Sequence, residues 1–290
     1  MKSDIPEIGR SVPRADAAAK ATGAERYAAD YYGDDLLWAG VKRADVPHGR
    51  IRSVETGAAK KLPGVVDVLT AADVPGTNRQ GIVHKDQPVL CGDKIRHCGD
   101  AVALVIAEDP DTLKRALSLI RPDIEPLPGV FGVDEALAPG APLVHENSPG
   151  NVLLKAAIRK GEAEEGLAAA DVVIEETFEV PVVSHAFLET ENGVAWQEPD
   201  GRIVLTVSTQ APFRDRWEIS SALGIPMDRM RIIGPYLGGA FGGKDGATVQ
   251  CFLALAAQRT GGRPVKMWWD RRENMLAGYK RHAVRMVYRL

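Results

Sequence analysis

One stretch, GPYLGGAFGGKDG from Gly234 to Gly246, has six glycines in thirteen positions and carries a lysine and an aspartate near its end. Ordered glycine is costly in backbone entropy, so this density indicates that something approaches the backbone closely. The preceding residues predict a strand and the following residues an apolar helix. A turn at the start of a helix presents free N–H groups and the positive end of the helix dipole. The stretch therefore predicts either a binding loop for an anionic group or a tight structural turn.

A phosphate-binding P-loop is one alternative, because Gly238, Gly243 and Lys244 fit the pattern G-x-x-x-x-G-K. That motif continues with Ser or Thr, which holds Mg²⁺, whereas this chain has Asp245. A carboxylate at that position repels phosphate. The dinucleotide pattern G-x-G-x-x-G is not met at any register of the loop. Nucleotide binding and a purely structural loop both stay open at this point.

Two nearby residues favour a ligand over a structural turn. Phe241 lies among the glycines, where an aromatic ring is costly unless it packs against something. Gln210 ends a predicted strand and offers both an N–H donor and a carbonyl acceptor. An aromatic wall, an amide and bare backbone N–H groups suit a flat ligand beside a metal-oxo or phosphate group.

Composition excludes several classes of protein. The 290 residues suffice for two domains, and the formal net charge of −3 lacks the basic excess typical of nucleic-acid binding. No apolar run has the length of a membrane span, and the N-terminus lacks the apolar segment of a secretory signal. Three scattered cysteines, Cys91, Cys98 and Cys251, fit small buried thiols in a reducing cytoplasm better than a disulfide framework or a metal site. We therefore expect a cytoplasmic protein that binds neither nucleic acid nor membrane.

The pattern along the chain predicts an α+β fold. Residues 1–125 read as an α+β unit after a polar N-terminal extension, and residues 126–151 as a Pro- and Gly-rich linker. Residues 152–290 read as a second unit that includes a hairpin turning on PDG and the glycine loop. Predicted helices follow Asp109, end at Gly224, and run through ATVQCFLALAAQ.

Several segments, in order and spacing, resemble the molybdenum-cofactor subunit of the xanthine dehydrogenase/aldehyde oxidase family. They are HAFLETENGVAW, LTVSTQAPF and LGIPMDRMRIIGPYLGGAFGGKDG. In the first half, AKATGAERYAAD, CGDAVALVIAED and EPLPGVFGVDEALAPGAPLVHE are similar to the a/b hammerhead domain of that family and its linker. The resemblance implies a hammerhead domain followed by the first part of a molybdopterin-binding α+β domain.

The resemblance also implies roles for individual residues. Gln210 matches a glutamine that hydrogen-bonds an oxygen ligand of molybdenum, and Phe241 matches a phenylalanine that walls the site. Asp245 stands where purine-hydroxylating members often carry a substrate-contacting glutamate. The loop whose backbone lies against the metal and its pterin corresponds to Gly238, Gly239, Ala240, Phe241, Gly242 and Gly243.

A second group of residues matches a family signature in HAFLETEN. His185, Glu189 and Glu191 belong to it, and we expect them to shape the site in a structural role. The implied cofactor is molybdopterin, in its cytosine dinucleotide form, carrying molybdenum; we expect no direct metal ligand from this chain.

Other parts of the family pattern are not found in these residues. The glutamate that acts as general base, and most of the pterin contacts, match nothing here, and Glu273 comes too early to be that base. Eight cysteines would be needed for two [2Fe–2S] clusters, and no FAD pattern is present. We therefore expect partners: a chain with the C-terminal half of the subunit, an iron–sulfur subunit and an FAD subunit.

The expected activity is hydroxylation of an N-heteroaromatic or aldehyde carbon using water, and the chain alone is expected to be inactive. A catalytically inert fragment, or a partner-binding domain, is the alternative.

Overall fold

The structure, a computed structural model, describes residues 9–290. Strands in that range, numbered in chain order, are Leu37–Arg43 (β1), Gly49–Glu55 (β2), Val65–Leu69 (β3), Arg79–Gln80 (β4), Gln87–Pro88 (β5), Lys94–Ile95 (β6), Ala101–Ala107 (β7), Arg121–Pro126 (β8), Glu175–Val180 (β9), Val183–Ser184 (β10), Asn192–Gln197 (β11), Ile203–Val207 (β12), Met230–Ile233 (β13), Val265–Trp268 (β14), Lys280–Arg281 (β15) and Val284–Arg289 (β16).

The α-helices of the same range are mostly short. They are Ala17–Thr22 (α1), Gly57–Lys60 (α2), Pro110–Leu119 (α3), Val133–Leu137 (α4), Ala163–Ala168 (α5), Pro212–Leu223 (α6), Gln250–Ala257 (α7) and Arg271–Ala277 (α8). Short 3₁₀ turns lie at Ala28–Asp30, Ala71–Asp73, Pro149–Asn151 and Met227–Arg229. The mixture confirms the predicted α+β class.

A seven-stranded sheet in the order β13-β12-β11-β14-β1-β7-β3 organises the molecule. At its centre β1 pairs in parallel with β14, with Leu37 opposite Val265, and antiparallel with β7. The hairpin of β11 and β12 is antiparallel, as PDG predicted, and β13 lies parallel to β12. Strands of both predicted units thus share one sheet. The division of the chain at residues 126–151 stays a prediction.

The two faces of the sheet bury different helices. β7 is buried at every position, as expected for a strand covered on both faces. The helix α7 is also buried throughout, and it packs against β11, β12 and the helix α6. On the other face α2 and α3 cover β3 and β7, with Ala116 and Ile120 fully buried. This buried α7 follows directly after the glycine loop, so the loop is anchored to the centre of the core.

Several element ends lie where local signals predicted them. Asp109 caps α3 by accepting a hydrogen bond from the Thr112 N–H, and Gly224 ends α6 in the left-handed conformation with φ of 69°. The strand predicted in the last residues is β16, which pairs with β9 in a separate, largely exposed ribbon. Sequence reasoning missed α8, although Asp270 caps it in the same manner. None of the helices in residues 9–290 has the length and apolarity that crossing a bilayer requires.

We expect Leu37→Ala to destabilise both halves of the chain together. Leu37 is fully buried in β1, and truncating a buried leucine costs about 2–5 kcal/mol. Because β1 joins strands from both halves, chemical denaturation should show one transition at lower denaturant, with β7 and β12 losing hydrogen-exchange protection together. Leu137→Ala, at an exposed position, serves as control. Separate transitions, with only the strands before residue 126 affected, would contradict this expectation.

Candidate functional site

The glycine loop rests on three side chains from the segment that precedes β11. A Cβ on Gly238 would lie 2.5 Å from Cβ of Glu189, and one on Gly243 would lie 2.7 Å from Phe187 Cε1 and 2.8 Å from His185 Nδ1. Contacts below 3.0 Å cannot be accommodated without movement of the neighbours. These two glycines are therefore required by the protein's own packing beneath the loop.

Other residues of the loop are set by backbone conformation. Gly239 and Gly242 have φ of 97° and 90°, which L side chains rarely adopt. Phe241 itself has φ of 54°, and 75% of its surface is exposed. A non-glycine residue in this region is strained, and an exposed ring gains little from burial. The loop thus presents an aromatic ring on its outer side at a conformational cost.

Three successive N–H groups on this loop are free to donate. Within residues 9–290, those of Gly239, Ala240 and Phe241 have no protein acceptor, whereas the Gly238 N–H donates to Glu189 Oε2 at 2.8 Å. Successive unpaired N–H groups in a glycine-rich loop can form a cradle for oxygen or sulfur atoms that carry negative charge. The donor chemistry of the loop therefore fits an anionic, metal-bearing group such as a pterin dithiolene centre.

Gln210 adjoins the same loop. Its Oε1 accepts the N–H groups of Gly242 at 3.0 Å and Lys244 at 3.3 Å, and its own N–H donates to the Lys244 carbonyl at 3.1 Å. Its Nε2 has no acceptor in the described part of the chain, and the residue is exposed. The structure thus brings Gln210 and Gly238–Gly243 together and leaves the Nε2 donor of this exposed residue without an acceptor in residues 9–290.

Lys244 settles the P-loop alternative. Its side chain is fully buried, and Nζ donates at 2.6 Å both to the Glu189 carbonyl and to Ser208 Oγ. A P-loop lysine must reach the phosphates from the loop surface. Lys244 extends beneath the loop instead, so it cannot serve nucleotide phosphates. Ser208 was not identified from the sequence; its position two residues before Gln210, on the same side of an extended segment, is the signal that could have identified it.

Asp245 is already engaged in an ion pair. Its carboxylate lies 2.6 Å from Arg214 Nη1, which also donates to its carbonyl, and the aspartate side chain keeps 45% of its surface exposed. Arg214 was not identified from the sequence either. Contact between Asp245 and a substrate stays a prediction, and the ion pair fixes the carboxylate at the end of the loop.

Two buried carboxyl groups lie behind the loop. Glu191 is fully buried, and neither of its oxygens has a hydrogen-bond partner in residues 9–290. Burial raises its pKa to about 8, against the opposing effect of Lys244. Burial likewise raises the pKa of Asp215 to about 7. Both groups therefore hold protons at acidic pH and gain charge in the core as pH approaches 8.

The thiols are not arranged as a metal site. Cys91 and Cys251 are buried and Cys98 is partly exposed, and all three are free. Over the range that the structure describes, no three His, Cys, Asp or Glu side chains group in a way that could hold a metal ion.

Comparison with known proteins agrees with this geometry. Residues 144–290 match the family described as "Molybdopterin cofactor-binding domain", and residues 22–128 match "Aldehyde oxidase and xanthine dehydrogenase, a/b hammerhead domain". The chain is 41% identical over 94% of its length to a probable xanthine dehydrogenase subunit of Bacillus subtilis. It is 37% identical over 99% of its length to the nicotinate dehydrogenase large molybdopterin subunit of Eubacterium barkeri. It spans 36% of the first of these relatives and 67% of the second.

Solved structures give the same result. The aldehyde oxidoreductase of Desulfovibrio gigas superposes with a TM-score of 0.89 at 30% identity, covering 96% of this chain and 32% of that one. Quinoline 2-oxidoreductase of Pseudomonas putida superposes with a TM-score of 0.86 at 29% identity, covering 94% and 36%.

We expect Glu191→Gln to make stability less dependent on pH. The folded protein retains a proton on Glu191 that the unfolded chain releases above its ordinary pKa of 4.5. The resulting stability is complete below about pH 4.5 and is lost as pH rises towards 8, by up to about 1.4 kcal/mol per pH unit. Urea unfolding at pH 5, 6.5 and 8 should show that the free energy of unfolding of the variant rises relative to that of the wild type as pH increases. Glu176→Gln, at an exposed position in β9, is the control. Parallel pH profiles for Glu191→Gln and the wild type would refute the assignment.

Proposed function

The chain belongs to the molybdenum-cofactor subunits of the xanthine dehydrogenase/aldehyde oxidase family, and from this premise we propose that it forms part of a molybdenum hydroxylase. The reaction is hydroxylation of an N-heteroaromatic or aldehyde carbon with water as the oxygen source. One observation carries the proposal: the N–H groups of Gly239, Ala240 and Phe241 have no protein acceptor in residues 9–290, and Gln210 binds the same loop through the Gly242 N–H at 3.0 Å.

The proposed cofactor is molybdopterin in its cytosine dinucleotide form, carrying molybdenum. When bound, this group supplies the two-electron oxidation and the transfer of oxygen to carbon. The chain's own residues would bind and orient it: the loop Gly238–Gly243 would hold it, and Gln210 Nε2 would be available to donate a hydrogen bond to it. The exposed ring of Phe241 would wall the substrate side. Protein groups here supply position and electrostatics.

Substrate choice is proposed from the relatives and from Asp245. The names of the two curated relatives refer to xanthine and nicotinate, and quinoline is also an N-heteroaromatic compound. The Asp245 carboxylate, held by Arg214, has exposed surface with which to accept a ring N–H. Aldehydes stay in the proposal because an aldehyde oxidoreductase shares the fold.

Further groups must complete the site. We propose that the general-base glutamate and the remaining pterin contacts lie outside residues 1–290, on a chain or segment corresponding to the rest of the longer relatives. An iron–sulfur subunit and an FAD subunit would then accept the electrons, in the cytoplasm. By itself the chain of 290 residues is proposed to be inactive.

We expect Gln210→Glu to abolish turnover without unfolding the loop. Glutamate retains an oxygen for the Gly242 and Lys244 N–H groups but replaces the outward amide donor with a second, negatively charged oxygen. The protein should be purified with everything that co-purifies, and molybdenum and iron per chain measured alongside hydroxylation of nicotinate, xanthine and an aldehyde. Gln258→Glu, at an exposed helix end, is the matched control and should behave as wild type.

Two results would count against the proposal. Full turnover in a molybdenum-loaded Gln210→Glu complex would refute the role of Gln210. Wild-type protein that contains no molybdenum and brings down no partner would favour a catalytically inert chain.

A further inference from the structure

A fully buried lysine directly after the glycine loop calls for a physical explanation. Removing an ammonium group from water is expensive unless it is paired and hydrogen-bonded. Lys244 Nζ meets this requirement through the Glu189 carbonyl and Ser208 Oγ, each at 2.6 Å, and lies 3.4 Å from Glu189 Oε2. It also lies 4.5 Å from the centroid of the Phe187 ring.

The Glu189 carboxylate joins both ends of the loop. Its Oε2 accepts the Gly238 N–H at 2.8 Å and the Ser208 hydroxyl at 3.0 Å, and it faces Lys244 Nζ. Gly238 begins the loop segment and Lys244 follows its end, so one carboxylate fixes their separation. The Ser208 hydroxyl donates a hydrogen bond to Glu189 and accepts one from Lys244, so both its donor and its acceptor capacity are used.

The same lysine is linked to Gln210 through its main chain. Gln210 Oε1 accepts the Lys244 N–H, and the Gln210 N–H donates to the Lys244 carbonyl. A displacement of Lys244 would therefore move both the loop and the outward amide of Gln210. These contacts connect a buried charge cluster to both ends of the loop and to Gln210.

We propose that Lys244, Glu189 and Ser208 form a positioning cluster that sets the distance between the Gln210 amide and the free N–H groups of the loop. That this spacing serves to bind a cofactor rests on the proposed function. The positioning itself is a property of this chain and can be measured without cofactor. None of the three is a catalytic residue, because each acts through the loop or through Gln210.

A second buried lysine provides a matched control. Lys266 in β14 is also fully buried, and its Nζ donates to the carbonyls of Ala29 at 2.6 Å and Tyr31 at 3.0 Å, over the Tyr32 ring. Lys266→Met also removes a buried ammonium group, but it does so beside Ala29 and Tyr31 and not beneath the glycine loop. A general effect of lysine burial would appear in both variants, whereas positioning of the loop should appear in one.

The experiment compares amide hydrogen exchange in wild type, Lys244→Met and Lys266→Met, all without added cofactor. We expect exchange in a peptide spanning residues 234–246 to accelerate at least tenfold in Lys244→Met, with residues 101–107 unchanged. In Lys266→Met we expect acceleration at residues 27–32 and a loop that exchanges as in wild type. Ser208→Ala, which removes one donor and one acceptor but no charge, should accelerate exchange in the loop in the same way and covers the case in which Lys244→Met fails to fold.

A double variant supplies a readout that general destabilisation does not give. Removing only Lys244 leaves the largely buried Glu189 carboxylate without its ionic partner, so Lys244→Met combined with Glu189→Gln should disturb the loop less than the two single effects added together. Additive effects, unchanged loop exchange in Ser208→Ala, or equal loop acceleration in Lys266→Met would overturn the proposal. Loop loosening in a chain that never binds molybdenum would reject the proposed function and leave the positioning cluster intact.

Discussion

The lack of room for a Cβ atom beneath the glycine loop is the constraint on which the candidate site depends. His185, Phe187 and Glu189 press against the loop from the core side, so Gly238 and Gly243 must be bare. With its inner surface filled by protein, the loop keeps the N–H groups of Gly239, Ala240 and Phe241 without a protein acceptor in residues 9–290. Close packing on the core side is enough to explain why Gly238 and Gly243 are glycines, and it needs no ligand. The donors that the packing leaves free are what favour a ligand.

Charge in the core supports this arrangement. Lys244, Glu189, Glu191 and Asp215 lie behind a surface that is proposed to hold a large anionic cofactor. Burial lowers the pKa of Lys244, while the neighbouring carboxylates raise it, so the cluster is a balance of opposing effects. Buried polar groups of this kind are costly when incomplete and rigid when satisfied. Lys244, Glu189 and Ser208 hydrogen-bond to one another, and the rigidity this gives suits the proposed site, whose geometry is needed before a cofactor binds.

Features set by neighbouring residues were predictable from the sequence, and features set by distant ones were not. The cap at Asp109, the end of α6 at Gly224 and the β11–β12 hairpin follow from signals within a few positions, and all are observed. Parallel pairing of β1 with β14 joins segments more than two hundred positions apart, which no local pattern specifies. Gln210 and the loop were identified together through the family motifs. The burial of the Lys244 side chain was not predicted. A glycine-rich motif that ends in lysine gives only residue types, whereas the position of Lys244 Nζ depends on its partners Ser208 and Glu189.

The pairing of β1 with β14 also has a consequence during protein synthesis. β7, the antiparallel neighbour of β1, leaves the ribosome early, but the other edge of β1 stays open until residues 265–268 have been made. Until then the nascent chain exposes an unpaired strand edge with apolar side chains, a template for pairing with other chains. Chaperone binding to the nascent chain would be most valuable in this interval. An interior strand of the finished sheet is thus an open edge of the growing one.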